Sequence, residues 1–247
     1  MTSQAKTSRD KTSQDMTSHD MTSKEIGSAT ARLLLEAGAI HVSRGRPYVL
    51  AAGWASPVYV DCRLLIGEPR FRREAVRLAA AAVATALEAG SFDAIAGAET
   101  AGIPLASWLA DTLDVPLRYV RKRQLGIGHN AQVEGGSVEG LRVLLVDDLT
   151  TDATSKVSFA SGLRQAGAVV TDVLTIFYHS AFPGAGERLS ATGLSLHALA
   201  TWDDVLRADL EDGLDGADRR LIEDFLADPV AWSMRHGGRS VLQNRRR

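Results

Sequence analysis

The chain has 247 residues, of which 45% are hydrophobic, and its formal net charge at pH 7 is −2. This length is typical of one domain with appendages, and the apolar content is sufficient for a substantial core. The near-zero charge gives no overall electrostatic attraction to nucleic acid or to an anionic membrane surface. We therefore expect no nucleic acid and no membrane among the partners.

The cellular compartment is indicated by cysteine usage and by the absence of long apolar runs. The single cysteine, Cys62, excludes an intrachain disulfide and cannot alone build a thiolate metal cluster, which fits a reducing, cytoplasmic compartment. No apolar run reaches the roughly 18 residues of a membrane span. The polar start also lacks the apolar core of a secretory signal.

The first residues, 1–25, are five copies of a pentamer that carries Thr-Ser at its second and third positions. This segment has no apolar periodicity, so it cannot bury enough surface to offset the entropy of ordering it. We predict a disordered repeat tail over 1–25. An inert extension is the simpler interpretation, and a functional tail is the alternative.

The folded part is predicted to begin near Ile26, with Ser28 as the cap of the first helix. Two short strands around a turn at Gly53 follow. Pro69 then lies in the first turn of a long alanine-rich helix that ends near Gly90.

From residue 93 onwards, short apolar runs typical of buried strands alternate with helical patterns. This alternation indicates right-handed crossovers and an α/β domain over 26–200 with a mostly parallel five-stranded sheet flanked by helices. An acidic helical C-terminal extension over 201–247 follows, with helices starting at Asp203, Ala217 and Pro229. The predicted strands are 94–98, 117–120, 143–146, 169–177 and 194–200.

The most informative stretch follows the predicted strand 143–146. Two adjacent carboxylates, Asp147 and Asp148, come first, and a Thr- and Ser-rich turn then leads into a helix. A strand, a loop and a helix in this order place the loop at the carboxyl edge of the sheet, where ligands bind in open α/β folds. The loop amides and the helix N-terminus suit a phosphate, and the acids could hold ribose hydroxyls, directly or through a metal. The pattern predicts a site for a phosphorylated sugar.

The loop at 97–104 reads Gly-Ala-Glu-Thr-Ala-Gly-Ile-Pro and also links a predicted strand to a helix. Small residues let the backbone approach a ligand, and amides at the helix N-terminus could hold an anion such as pyrophosphate. The alternative is that these glycines serve only the packing of strand against helix.

The loop at 118–135 is basic and long. Arg118, Arg121, Lys122 and Arg123 lie close together. The loop is longer than the usual connection of about 2–6 residues between a strand and a helix. A long basic loop beside an anion site indicates a lid that closes over phosphates. A solvated surface loop is the alternative.

With these three loops in order, the chain resembles the type I phosphoribosyltransferases, and most closely those that act on orotate. The resemblance covers about residues 26–237. The segment 143–151 is similar to the fingerprint for phosphoribosyl pyrophosphate (PRPP), and 119–122 with 128–135 is similar to the flanks of the catalytic loop. The segment 52–63 resembles the hood that covers orotate.

The resemblance implies transfer of the phosphoribosyl group of PRPP to orotate, which yields orotidine 5′-monophosphate and pyrophosphate with Mg²⁺. It also implies a small hood at about 26–68 and a homodimer whose basic loop reaches the neighbouring site. Because Mg²⁺ keeps several waters and binds substrate oxygens, we expect no dedicated cluster of protein ligands. Two alternatives stay open: a phosphoribosyltransferase for another base and a non-catalytic PRPP-binding regulator.

The resemblance further implies the site residues, with the paired acids facing the ribose hydroxyls and the basic pair contacting pyrophosphate. The catalytic residues are Arg121, Lys122, Asp147 and Asp148. The pyrophosphate loop consists of Glu99, Thr100 and Ala101. The substrate-binding residues of the fingerprint, several of them around the 5′-phosphate, are Leu149, Thr150, Thr151, Asp152, Ala153, Thr154 and Ser155. Further substrate contacts are Tyr59, Arg123, His129 and His179.

Several positions depart from the family pattern. Leu125 stands where a second lysine is usual, Ala51 where many hoods carry a lysine, and His179 about where an arginine often contacts orotate. Ala153 replaces a usual glycine, so it is strained if that position needs a positive φ. An acid such as Asp152 would repel a phosphate unless it points away or binds a cation.

Overall fold

The computed structural model describes residues 21–124, 132–208 and 213–240, which form an α/β fold with helices on both faces of a central sheet. Of the tail predicted to be disordered over 1–25, residues 1–20 lie outside the described residues. The prediction was wrong for 21–25, because Thr22 caps the first helix and 23–25 belong to it. Among the described helices, none is both long and apolar enough to cross a lipid bilayer.

The first helix, α1 (Ser23–Glu36), begins earlier than predicted. The Thr22 hydroxyl accepts a hydrogen bond from the Glu25 amide, and the Glu25 carboxylate accepts one from the Thr22 amide, which together form a capping box. The prediction that Ser28 caps this helix was wrong, because the last copy of the repeat itself supplies the Thr-x-x-Glu pattern and Ser28 lies inside the helix.

The hood consists of four short strands in two antiparallel pairs. The predicted pair around Gly53 is confirmed, and Gly53 adopts a φ of +88° in the turn between its strands. The other pair joins the strand that precedes this hairpin to the strand that follows it. The strands are β1 (Ile40–Val42), β2 (Tyr48–Val49), β3 (Ala55–Ser56) and β4 (Val58–Val60).

Two helices connect the hood to the sheet. A single turn, α2 (Leu64–Gly67), precedes the alanine-rich helix α3 (Pro69–Ala86), which has the predicted proline in its first turn. Helix α3 ends before Gly90 because Leu87 adopts an extended backbone with ψ of 141°.

The central sheet has six strands in the order β10-β9-β8-β5-β6-β7. The five predicted strands are confirmed and pair in parallel. The sixth, β7, pairs antiparallel with β6, so the basic loop joins two neighbouring strands rather than a strand and a helix. The strands are β5 (Ala94–Ala98), β6 (Leu117–Val120), β7 (Val133–Glu134), β8 (Val143–Thr150), β9 (Asp172–Tyr178) and β10 (Ser195–Thr201).

The remaining helices cover the sheet and form the C-terminal extension. They are α4 (Gly102–Thr112), α5 (Thr154–Gln165), α6 (Ala185–Ala191), α7 (Trp202–Arg207), α8 (Gly216–Ala227) and α9 (Pro229–Arg235). The three predicted C-terminal helices correspond to α7, α8 and α9.

The core consists of two apolar layers, one on each face of the sheet. Along β8, Leu144 and Val146 belong to the layer beneath the hood, whereas Leu145 belongs to the opposite layer. Successive strand residues point to opposite faces, and both faces are covered. This explains why the central strands are continuous apolar runs instead of alternating ones.

Candidate active site

The three predicted loops converge at the carboxyl edge of the sheet. After β5 the chain adds β6 on one side of this strand, and it later adds the parallel strand β8 on the other side. The order in which strands are added therefore changes sides between β5 and β8. Ligands bind at such a switch point in open α/β sheets. The loop at 97–104 and the basic loop are joined directly, since the Lys122 amide donates a hydrogen bond of 2.7 Å to the Glu99 carboxylate.

Asp147 lies within β8, which continues to Thr150, and its carboxylate is held by protein groups. Its Oδ1 accepts a hydrogen bond of 2.9 Å from the Asp148 amide, and its Oδ2 pairs with Nζ of Lys156. Lys156 is only 2% exposed, and its Nζ also donates to Ser155 Oγ at 3.2 Å. The lysine therefore links the first acid to the turn that was predicted to hold the phosphate.

Lys156 was not among the residues predicted from the sequence, although a signal was present. It lies three, four and seven residues before Phe159, Ala160 and Leu163, which are all buried. This spacing puts the lysine on the buried face of α5. Because a buried ammonium group is rarely without an acidic partner, the spacing indicates an ion pair with a nearby carboxylate.

Asp148 has a different environment from Asp147. Its Oδ1 accepts a hydrogen bond of 2.8 Å from the Leu149 amide. Burial and then the neighbouring Asp147 charge raise the pKa of Asp148 to about 7. Its carboxyl group lines a small cavity together with Cys62 of the hood and Ala101 of the pyrophosphate loop. Burial and the Asp148 charge also raise the pKa of the Cys62 thiol, which reflects how close the hood is to this acid.

The pyrophosphate loop packs tightly against β8. The Glu99–Thr100 peptide bond is cis, and Thr100 is exposed while Ala101 is half-buried. A Cβ added to Gly102, at the start of α4, would lie 2.5 Å from the carbonyl oxygen of Val146 and 2.8 Å from Cα of Asp147. Only glycine allows this approach of the loop to the acids.

The turn before α5 is the segment that is predicted to surround the 5′-phosphate. Ala153 has a φ of 59°, so the alanine occupies the left-handed conformation that was predicted to be strained. The Asp152 carboxylate accepts hydrogen bonds from the Thr154 amide at 3.1 Å and from the Thr154 hydroxyl at 2.9 Å. Thr151 is half-buried, whereas Thr154 and Ser155 are exposed at the helix start.

The basic residues divide between paired and exposed positions. Arg121 pairs with Glu134 at 3.2 Å and donates to the Tyr119 hydroxyl at 3.3 Å. Lys122 and Arg123 are exposed. His129 and Leu125 lie outside the described residues.

Arg118 does not join the other basic residues. Its guanidinium donates hydrogen bonds to the carbonyl oxygens of Leu117 and Ser137, at 2.8 and 3.2 Å. The four basic residues therefore do not form one cluster.

Tyr59 lies on the hood strand β4, where its hydroxyl accepts a hydrogen bond of 3.0 Å from Arg63. The Arg63 guanidinium also forms a two-point ion pair with Asp61, at 2.6 and 2.8 Å. The hydrogen bonds that Arg63 donates to this carboxylate raise the pKa of Arg63, and the Asp148 charge contributes to the same shift. Arg63 was not predicted, and it brings a cation to the hood edge near Asp148.

His179 follows β9 and is enclosed by aromatic rings. Its ring stacks on Phe182 at 5.6 Å, and its Nδ1 accepts a hydrogen bond of 3.3 Å from the Trp202 indole. Burial lowers the pKa of His179 to about 4, so the ring is neutral at pH 7. Contact between this imidazole and a substrate would require the aromatic cluster to open, because the side chain is 1% exposed. The described structure therefore does not bring His179 together with the two acids, and its role in substrate binding stays a prediction.

The fold and the site define the class of protein. A sheet that places paired acids, a glycine-dependent loop and a phosphate turn at one switch point is the arrangement expected of a phosphoribosyltransferase, and residues 67–183 match the family model described as the phosphoribosyl transferase domain.

Similarity to curated relatives identifies the family within the phosphoribosyltransferases. The chain is 46% identical over 209 residues to an orotate phosphoribosyltransferase of Cereibacter sphaeroides, covering 84% of this chain and 90% of the relative. It is 44% identical over 213 residues to the orotate phosphoribosyltransferase of Sinorhizobium fredii, covering 86% and 92%. The chain belongs to the orotate phosphoribosyltransferase family.

Solved structures agree with this assignment. The orotate phosphoribosyltransferase of Aeropyrum pernix superimposes with a TM-score of 0.61 and 33% identity, over 72% of this chain and 96% of that one. The UMP synthase of Leishmania donovani superimposes with a TM-score of 0.69 and 27% identity. In that case the match covers 81% of this chain and only 42% of the longer synthase.

Proposed function

We propose that the protein transfers the 5-phosphoribosyl group of PRPP to orotate, with orotidine 5′-monophosphate and pyrophosphate as products. The observation that carries the proposal is the convergence of Asp148, the loop at Glu99 and the turn at Thr154 on one edge of the sheet. These groups match the three parts of PRPP, namely ribose, pyrophosphate and 5′-phosphate. The choice of orotate rests on the relatives and on the hood that closes over Asp148.

The chemistry follows from the charges of these parts. The bond between the anomeric carbon and pyrophosphate breaks with its electron pair on the departing oxygen. A ring nitrogen of orotate loses its proton and forms the new bond to the same carbon. Negative charge grows on pyrophosphate while the sugar becomes cationic. In our proposal Lys122 and Arg121 stabilise the departing oxygens, and the acids at 147–148 hold the ribose hydroxyls. A closed basic loop would exclude the water that otherwise hydrolyses the sugar.

We propose Mg²⁺ as the cofactor, bound mainly through oxygens of PRPP. Within the described ranges, no group of three or more His, Cys, Asp or Glu side chains could hold a metal ion. The donors at the site fit Mg²⁺ in kind, since Asp148 supplies a hard carboxylate oxygen beside the proposed ribose position. When bound, the ion would neutralise charge on the leaving pyrophosphate.

We also propose a cytoplasmic homodimer in which the basic loop completes the neighbouring site. Lys122 and Arg123 are exposed where the loop leaves the sheet, so they are available to a partner subunit. The free thiol of Cys62, which is buried, is consistent with a reducing compartment.

A panel of bases tests the proposal. Purified protein with PRPP and Mg²⁺ is offered orotate, uracil, adenine, hypoxanthine and guanine, and nucleotide formation is measured. We expect turnover with orotate alone. Turnover of another base instead would assign the protein to a different substrate, and PRPP binding in a calorimeter without turnover of any base would indicate a regulator.

A further inference from the structure

We propose that the C-terminal segment 229–240, here called the latch, positions the hood for base binding, with Ser233 as the positioning residue. This inference rests on the proposed function. The latch consists of α9 and the five residues after it, and it packs on strand β3 of the hood.

Hydrogen bonds to the backbone of 52–55 join the latch to the hood, and one of them involves a buried hydroxyl group. Ser233 Oγ accepts a hydrogen bond of 3.0 Å from the Ala55 amide and donates one of 2.7 Å to the Arg239 carbonyl. The Arg239 amide in turn donates a hydrogen bond of 2.9 Å to the Gly53 carbonyl. The Arg239 guanidinium donates another of 2.9 Å to the Ala52 carbonyl. Both Ser233 and Ala55 are fully buried, so water cannot replace these partners.

Close packing adds to these hydrogen bonds. A Cβ added to Gly238 would lie 2.3 Å from the Ala55 amide nitrogen and 2.5 Å from Ser233 Oγ. The Arg239 guanidinium lies 5.6 Å from the centre of the Trp54 ring. The latch therefore touches the hood through backbone, leaving no space into which β3 could shift.

The position of β3 is transmitted to the site over a short length of chain. Strand β3 leads through Pro57 into β4, which is paired with β1 and ends just before Cys62. Cys62 lines the cavity that also contains Asp148 and Ala101. A base that attacks a ribose held at Asp148 must lie beside this end of the hood. A shift of Ala55 therefore changes the hood surface that contacts the base.

A second contact between the hood and the C-terminal extension is weaker. Arg44 of the hood pairs with Asp218 at 2.8 Å and with Asp215. Arg44 and Asp215 are more than half exposed, and such surface pairs contribute little because water screens them. We therefore expect that loss of the Ser233 hydrogen bonds, rather than of the Arg44 ion pairs, changes base binding at the site.

The test uses two full-length variants that loosen the latch in different ways, Ser233→Ala and Gly238→Ala. Both should raise KM for orotate about tenfold and leave KM for PRPP within about twofold, because binding of the base alone depends on the hood. Val170→Ala is the matched control, since Val170 is buried in the layer on the opposite face of the sheet. A general loss of stability lowers the active fraction in all three variants and leaves both KM values unchanged.

The outcomes separate this inference from the proposed function. If the unmodified protein does not convert orotate, the proposed function fails. If it does, and the folded Ser233→Ala protein keeps its KM for orotate or changes both KM values equally, the positioning role of Ser233 is refuted. Should Gly238→Ala not fold, the Ser233→Ala result decides alone.

Discussion

At the scale of single residues, the two adjacent acids differ in what surrounds them. The Asp147 carboxylate is matched by a buried lysine and by a backbone amide, so its negative charge is already balanced within the protein. Asp148 accepts a hydrogen bond from the Leu149 amide, and within the described ranges its carboxylate forms no ion pair with a lysine. We infer that Asp147 fixes the geometry of β8 at the site and that Asp148 is the carboxyl group available to contact a sugar.

Replacing Lys156 with methionine should destabilise the protein strongly. Loss of one partner leaves a buried, uncompensated charge, and such changes cost about 3–5 kcal/mol. The free energy of unfolding measured in urea should fall by this amount. The double variant Asp147→Asn/Lys156→Met should recover most of the loss, whereas Lys24→Met, at an exposed lysine of α1, should change stability by less than about 0.5 kcal/mol. Equal stability of the Lys156 and Lys24 variants would contradict the buried pair.

The raised pKa of Asp148 predicts a pH dependence of stability in metal-free buffer. Because its folded pKa of about 7 lies above the usual aspartate value of 3.8, the folded state holds the proton more tightly. The resulting stability is fully present below about pH 4 and is lost as the pH rises towards 7, with a slope of at most about 1.4 kcal/mol per pH unit. Asp148→Asn should remove this contribution. Identical curves of unfolding free energy against pH for the two proteins would rule out the raised pKa.

At the scale of elements, the pyrophosphate loop depends on one close approach. Gly102→Ala would place a methyl group within 2.8 Å of β8 backbone atoms, so either α4 or the strand end must move. We expect a loss of about 1–3 kcal/mol in stability and at least a tenfold drop in kcat/KM for PRPP. Gly186→Ala is the control, because a Cβ there meets no atom within 4 Å. A Gly102→Ala protein with normal PRPP kinetics would show that the loop position is not critical.

Some of the elements are predictable from the sequence, and others are not. The five parallel strands are predictable because their apolar runs and the intervening helices obey local periodicity. Strand β7 has two residues, too few for any periodicity, and it exists only because β6 offers an edge. For this reason the sequence predicts a connection between a strand and a helix, whereas the basic loop joins two strands.

The site was predictable where chemistry is encoded locally, as in the adjacent acids and the turn after them. It was not predictable where partners are distant in the chain. Ser233 and Ala55 are 178 positions apart, and neither residue type signals the contact. The enclosure of His179 likewise depends on Trp202 of α7 and Phe225 of α8, which lie far from it in the chain.

At the scale of the whole molecule, the proposed dimer predicts complementation between inactive variants. Lys122→Ala and Asp148→Asn should each be nearly inactive alone. In a symmetric dimer with exchanged loops, a mixed dimer has one site with both residues intact, so an equal mixture should recover about a quarter of normal activity. Steady-state rates after mixing and subunit exchange test this. Absence of any recovery in verified mixed dimers would place the loop and the acids of each site on the same subunit.

The central claim is that this chain is an orotate enzyme whose site lies at the β5–β8 switch point. The most direct measurement is the loss of orotate absorbance with PRPP and Mg²⁺, followed for the unmodified protein and for Asp148→Asn. We expect orotate consumption with equal amounts of orotidine 5′-monophosphate and pyrophosphate formed, and a rate at least about a hundredfold lower in the variant. Unchanged orotate with folded, unmodified protein, or an equal rate in Asp148→Asn, would contradict it.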